Sequence, residues 1–300
     1  MMGGNTEKRN PVSAGIDEKP VDEVLRIINA EDQRVPTAVA GQLPPIADAV
    51  EAVADCILRG GRVFFLGAGT SGRLGVVEAA EMPPTFGVPP RLFQAVMAGG
   101  QEAVFRSVEE AEDDESAGAE ALARHRLSKK DVLVALSASG RTPFVIGALR
   151  TARSVGAGTV LITCNPDAPA KGLSDIPIVV DVGPEVVAGS TRLKAGTAQK
   201  LVLNMLTTAA MIRLGNVFDG YMVGVRPKSR KLRERAAGIV SAIAGVGRER
   251  AADALDRARG DVKVAVIVAR TGASPGESMR ILEQASGSLR RALKEMGVSE

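Results

Sequence analysis

RVFFLGAGTSGRLG, residues 62–75, reads as strand, turn and helix in succession. The apolar run Val63 to Leu66 is long enough for one buried strand. Gly67, Gly69 and Gly72 follow, with Thr70 and Ser71 between them. Leu74, Val77 and Ala80 then recur at helical spacing among Arg73, Glu78 and Glu81. A Gly-rich turn entering a helix aims backbone N–H groups at one point, where an anion is favoured. Glycine permits the tight turn and leaves no side chain between backbone and ligand. The stretch therefore predicts a site for a phosphate-bearing ligand.

The spacing Gly67-x-Gly69-x-x-Gly72 also fits the dinucleotide fingerprint. That fingerprint expects an acidic residue about 20 positions on, at the end of the next strand. The next strand, residues 91–97, runs into Ala98-Gly99-Gly100 with no acid at its end. A nucleotide-dependent oxidoreductase is thus disfavoured.

Elsewhere the chain is that of an ordinary globular protein. Of its 300 residues, 45% are hydrophobic and 24% charged, and the net charge is +3 with both signs interspersed. That balance predicts neither a nucleic-acid nor a membrane partner. The densest basic run, residues 226–235, reads as a solvated helix start. Cys56 and Cys164 are the only cysteines and lack metal spacing, so a reduced cytoplasmic protein is expected. The first 20 residues are polar, and the apolar run at 264–269 is far short of the ~20 residues that span a bilayer. His125 is the sole histidine and reads as a surface residue. Proton transfer then falls to carboxylates, Lys, Tyr221 or water.

In chain order, residues 1–20 read as an extended arm, followed by helices over 21–31, from about 36, and over 45–58. After the Gly-rich loop, Pro83-Pro84 are expected to stop the helix. Residues 102–124 read as one charged helical stretch. Strands are predicted at 131–136, 159–164 and 176–182, with helices over 144–155 and from about 200 to 214. Strands alternating with helices argue a parallel sheet covered on both faces. Beyond 229 the chain turns Ala- and Arg-rich and helical, while 262–269 fits either strand or buried helix.

A second loop has the layout of the first. Ser137-Ala138-Ser139-Gly140-Arg141-Thr142 leaves a strand and opens a helix. Its hydroxyls and N–H groups suit the oxygens of a terminal phosphate, each charge-assisted bond contributing roughly 1.5–3 kcal/mol. In open α/β sheets, ligands sit outside the carboxyl ends of strands, where both loops lie.

Ser137-x-Ser139-Gly140-x-Thr142 after a Gly-Thr-Ser loop resembles the sugar isomerase (SIS) phosphosugar-binding family. The likeness is closest to the branch whose members cleave the lactyl ether of N-acetylmuramic acid 6-phosphate. It is carried by LGAGTSGRLGVVEAAEMPPTFGVPP (66–90), VEEAEDD (108–114), SASGRTPFVIGAL (137–149), CNP (164–166) and GSTRLKAGTAQKLVLNML (189–206), with TEKRNPVSAGID and LRIINAED upstream. These blocks occur in order over most of the chain. Pro20-Val21, Gly224 and Ser229 depart from the branch, which usually shows Ser-Thr, Asp and Asn there.

The resemblance implies a three-layer αβα sandwich around a parallel sheet (residues 59–225), an N-terminal arm with helices (1–58) and a small C-terminal helical domain (226–300). It implies a homodimer with no metal and no cofactor, acting in amino-sugar catabolism or recycling. Glu81 and Glu112 would be the catalytic carboxylates. Ser137, Ser139 and Thr142 would hold the phosphate, with Thr70 and Ser71 beside it and Glu185 and Ser190 near the sugar. Lys194 and Arg192 read equally as structural ion partners. An unbroken helix would put Glu81 about 15 Å beyond Ser71, so either a bend at Gly75 or the prolines, or a site spanning a dimer interface, is expected. Competing readings are a non-catalytic sugar-phosphate sensor and an aldose–ketose isomerase or synthase of the same fold. The first 60 residues lack the basic helix-turn-helix expected of a sensor.

Overall fold

A computed structural model describes residues 5–227 and 229–298. The start of the N-terminal arm and Lys228 of the basic run lie outside the described residues. Contacts group the chain into two compact units, residues 1–80 with 90–207, and residues 81–89 with 208–300.

In the first unit the arm is a series of 3-10 turns, Asn5–Glu7, Pro11–Ser13 and Ile16–Glu18. Three helices follow, α1 (Val21–Asp32), α2 (Arg34–Ala40) and α3 (Leu43–Leu58). Then come β1 (Val63–Gly67), α4 (Gly69–Phe86), β2 (Phe93–Met97), α5 (Glu102–Phe105) and α6 (Glu115–Arg124). The unit continues through β3 (Val132–Leu136), α7 (Pro143–Ser154), β4 (Gly158–Thr163), β5 (Ile176–Val179) and α8 (Lys194–Arg213). Helices α4 and α8 each begin in this unit and end in residues of the second.

All five strands are parallel, in the order β2-β1-β3-β4-β5. VFFLG of β1 and VLVAL of β3 are buried at every position, as strands covered on both faces must be. Phe64, Leu66, Leu133, Ala135 and Leu161 form one face, packed with Leu122 of α6 and Phe144, Val145, Ala148 and Leu149 of α7. Phe65 faces the other way, against Gly75 of α4, where a Cβ would stand 2.9 Å from the Phe65 Cβ. The result is a helix–sheet–helix sandwich.

The strand order places a topological switch between β1 and β3. The chain leaves β1 for β2 on one side, then returns to β3 on the other. Gly67 and Leu136, the last residues of β1 and β3, are partners in register. Both phosphate-type loops therefore emerge side by side at the position where open α/β sheets bind ligands.

Two expectations need correction, and one open alternative is decided. Helix α4 passes through Pro83 and Pro84 to Phe86. The φ of proline is itself helical, so the two residues cost α4 backbone hydrogen bonds without ending it. Residues 102–124 are not one helix: α5 ends at Phe105, residues 109–112 form a 3-10 turn, and α6 starts at Glu115 behind its Asp114 cap. The ambiguous run near 264 is helix, as part of α11 below.

The second unit holds the small antiparallel pair β6 (Val217–Phe218) and β7 (Tyr221–Met222), which the sequence did not suggest. Five helices follow: α9 (Arg230–Ala244), α10 (Arg248–Arg257), α11 (Val262–Thr271), α12 (Pro275–Gln284) and α13 (Leu289–Glu295). Val262 and Val264 through Ala269 are all buried, so α11 is the central helix of this unit and is apolar all round.

Candidate functional site

The first loop needs its glycines for close approach. A Cβ on Gly72 would stand 2.6 Å from the Gly67 carbonyl oxygen, and one on Gly67 would stand 2.8 Å from the Gly72 nitrogen. The turn from β1 into α4 thus closes tightly on itself. In the second loop Gly140 has φ +63°, and a Cβ there would meet Ala168 at 2.3 Å. No L side chain fits that space.

The second loop is ordered by its own hydroxyls. Ser137 Oγ and Thr142 Oγ1 share a hydrogen bond of 2.9 Å, and Ser137 Oγ accepts from the Gly140 N–H at 3.0 Å. Ser139 Oγ accepts from the Arg141 N–H at 3.2 Å. From behind, Asn165 Nδ2 donates to the Ser139 carbonyl at 2.9 Å. That contact gives the Cys164-Asn165-Pro166 block a physical purpose. Helix α7 then begins at Pro143, where a missing N–H is harmless.

A cleft of about 360 Å³ lies over these loops. Ala68, Gly69, Thr70 and Ser71 form one wall, and Leu136 to Ser139 with Arg141, Thr142 and Pro143 form another. Glu7, Glu112, Asp113, Gly189 and Thr191 complete the lining. Thr70, Ser71, Ser137, Ser139 and Thr142 are thus brought together, with Glu112 at the same cleft. Glu112 is exposed, as is Glu81. A smaller hollow of about 170 Å³ shares Ala68, Gly69 and Glu112 with the cleft and adds Arg73, Met97 and Ser107. Glu112 therefore borders both spaces.

Three assigned residues lie elsewhere. Ser190 sits between the lining residues Gly189 and Thr191 in a turn whose Ser190 N–H donates to the Val187 carbonyl at 3.0 Å, and it is not itself in the lining. Glu185 is fully buried and caps α8, accepting from the Lys194 N–H at 3.0 Å and the Ala195 N–H at 2.9 Å. Burial raises its pKa, and those two N–H bonds and the Lys194 charge offset part of the rise. Glu81 lies ten residues past Ser71 on α4, which runs without interruption through Gly75. Neither glycine nor proline ends the helix between them, and ten residues of ideal helix amount to about 15 Å.

The sequence did not single out several residues that shape the site. Arg73 donates to the carbonyls of Ala103 at 2.8 Å, Val104 at 3.0 Å and Arg106 at 3.1 Å, fixing the segment that leads to Glu112. Arg141 is the one arginine among the described residues that line the main cleft. Glu7 arrives from the arm, whose Thr6 carbonyl accepts from the Gly189 N–H at 3.1 Å. Asn10 ties the arm down, donating to Glu31 at 2.8 Å and to the Pro184 carbonyl at 3.0 Å. The only signal for these was their place inside quoted blocks.

His125 stands apart from the main cleft. Its ring meets Phe64 edge-on at 5.8 Å, and its Nδ1 lies 3.3 Å from Gln94 Oε1. Burial, then the charges of Arg62 and Arg124, lower its pKa. Among the described residues no three His, Cys, Asp or Glu side chains gather as a metal site. No helix among them is long and apolar enough to cross a membrane.

Comparison with known proteins agrees with the fold. Residues 45–153 match the family described as the glucokinase regulatory protein N-terminal SIS domain, and residues 113–209 match the SIS domain. Three curated relatives share the name N-acetylmuramic acid 6-phosphate etherase. The protein from Pasteurella multocida is 48% identical over 96% of each chain. That from Edwardsiella ictaluri is 49% identical over 97% of each. That from Rubrobacter xylanophilus is 50% identical over 97% of this chain and 96% of its own. Among solved structures, a phosphoheptose isomerase from Francisella tularensis superposes with a TM-score of 0.52 at 18% identity, over 64% of this chain and 98% of its own. At that identity the likeness speaks to fold alone.

Proposed function

The chain belongs to the N-acetylmuramic acid 6-phosphate etherase family, and we propose that Glu112 and Glu81 carry the proton transfers of its reaction while the 137–142 loop holds the substrate's phosphate. The enzyme is a carbon–oxygen lyase. It cleaves the D-lactyl ether of N-acetylmuramic acid 6-phosphate and gives N-acetylglucosamine 6-phosphate and D-lactate. The relatives' shared name speaks for an enzyme over a sensor or an isomerase.

The chemistry needs two well-placed acid–base groups. In the open-chain sugar the aldehyde acidifies the hydrogen at the 2-position. A carboxylate takes that proton, the C3–O bond breaks with its electron pair going to oxygen, and an acid protonates the departing lactate. Water then adds its hydroxyl at the 3-position and returns a proton to the 2-position. Each positioned acid or base contributes about 10²–10⁴-fold.

One observation carries the reading: the hydroxyl-rich loops at the ends of β1 and β3 share one cleft with Glu112. The phosphate takes the donors around Ser137 to Thr142, and the sugar extends toward Glu112. Glu81, far along α4, is supplied to that site by a second copy of the chain in a homodimer. Cys56 and Cys164, both buried as free thiols, suit a reducing cytoplasm, where muramic sugars are recycled or catabolised.

Ser139→Ala should chiefly weaken binding, because the phosphate is remote from the bond broken. Losing one charge-assisted bond should cost roughly 1.5–3 kcal/mol, read as a raised KM in a D-lactate release assay. An unchanged KM with collapsed kcat would contradict the phosphate assignment. Activity should also persist in EDTA and without added nucleotide, since a pair of carboxylates suffices. Inactivation by chelation, reversed by a divalent metal, would refute the two-carboxylate mechanism.

A further inference from the structure

Behind the cleft wall stands a polar side chain that the reaction as described does not use. Gln199 projects from α8 and is 1% exposed. Its Oε1 accepts a hydrogen bond of 2.9 Å from Ser71 Oγ, a residue of the cleft lining. Its Nε2 is buried with no hydrogen-bond partner among the described residues. A buried donor without a partner is destabilising. A side chain whose role is packing alone would be better apolar.

We propose that Gln199 is a positioning residue that fixes the polarity of Ser71. With the Ser71 proton directed to Gln199 Oε1, the Ser71 oxygen offers lone pairs to the cleft. It then accepts from an O–H or N–H of the substrate sugar and does not donate to its phosphate. A phosphate dianion has no proton to give, so the two loops divide the substrate: Ser137 to Thr142 read the phosphate, and Ser71 reads a donor group of the sugar. This inference rests on the assignment of the cleft to the sugar phosphate and refines the place of Ser71 within it.

The test is a double-mutant cycle of Ser71→Ala and Gln199→Met, with inorganic phosphate as a second probe. Each single change should raise KM about 10-fold, the loss of one hydrogen bond. The double variant should be no worse than either single one, because Gln199 acts through Ser71. Competitive inhibition by inorganic phosphate should be unchanged in Gln199→Met but weakened in Ser139→Ala. The melting temperature of Gln199→Met should be equal to or above that of the parent, since an unpartnered amide is removed. A parental KM in Gln199→Met beside a raised one in Ser71→Ala would overturn the inference alone. So would single effects that multiply, or a phosphate inhibition constant that rises with KM. A Ser71→Ala variant with parental KM would remove Ser71 from the site and with it the reading on which the inference stands.

Discussion

Lys194→Met should destabilise the first unit by about 3–5 kcal/mol at neutral pH, the cost of stripping one partner from a buried ion pair. The Lys194 and Glu31 side chains are 1% and 6% exposed, and the ammonium lies 2.5 Å from Glu31 Oε2. Burial alone would raise the Glu31 pKa. Hydrogen bonds from Lys194, Arg34 and Asn10 outweigh that and hold it at about 2, against an ordinary 4.5. A carboxyl depressed in the fold contributes stability above its unfolded pKa and loses it as pH falls through the folded one. The window here is therefore from about 4.5 down to about 2, and the term amounts to about 3 kcal/mol. In Lys194→Met the Glu31 pKa should rise, so the deficit against the parent should shrink on acidification through that window. Urea unfolding at pH 7 and at pH 3 checks both statements. A deficit below about 1 kcal/mol at pH 7, or one constant with pH, would show that the pair does not hold this unit together. Lys194→Met with Glu31→Leu should recover part of the loss, because an apolar pair of similar volume often replaces a buried salt bridge at little cost. The same carboxylate holds Asn10 and so the arm bearing Glu7, which connects this stability term to the cleft.

The sheet was legible because its signals are local. A short apolar run marks each strand of the five-stranded sheet, most of them bounded by glycine or proline, and two hydroxyl-rich turns at strand ends mark a candidate site in the sequence itself. Features that depend on distant partners were not legible. Gln199 pairs with Ser71 across 128 positions; Lys194 was readable as an ion partner, but its mate Glu31, 163 positions away, was not. Glu185 offered a carboxylate where the sugar was expected, yet the nearest unsatisfied groups were the first N–H groups of α8, ten residues on. Acidic composition disguised residues 102–124 as one helix. The break becomes intelligible once Arg73 is seen to bind the carbonyls of Ala103, Val104 and Arg106, at the end of α5 and ahead of the 3-10 turn that carries Glu112. Residues 262–269 were ambiguous because an apolar run has no period when every side is buried. Packing against the other helices of the second unit resolved it.

Glu112→Ala should abolish both lactate release and exchange of the substrate's 2-hydrogen with solvent, whereas Glu81→Ala should lose lactate release and retain some exchange. The asymmetry follows from the order of the chemistry. Proton removal at the 2-position precedes departure of the ether oxygen, so a missing acid leaves the first step reversible and visible. Glu112 borders both the cleft and the hollow beside the first loop, which is why we propose it as the base at the 2-position. Glu81 is assigned as the acid for lactate and then the base for water. Each loss should lower turnover by about 10²–10⁴-fold. NMR of substrate in deuterated buffer reads the exchange directly. Free exchange in Glu112→Ala with none in Glu81→Ala would reverse the roles, and full activity in both would end the two-carboxylate reading. Mixing the two inactive variants under conditions that exchange subunits tests where Glu81 comes from. If each site combines Glu112 of one copy with Glu81 of another, the mixed dimer regains one intact site of its two. Random pairing then restores roughly a quarter of parental activity, since mixed dimers are about half of the population, set against a residue of at most about 1% in either variant alone. If both carboxylates act from the same chain, every site in the mixture lacks one of them, and no activity returns.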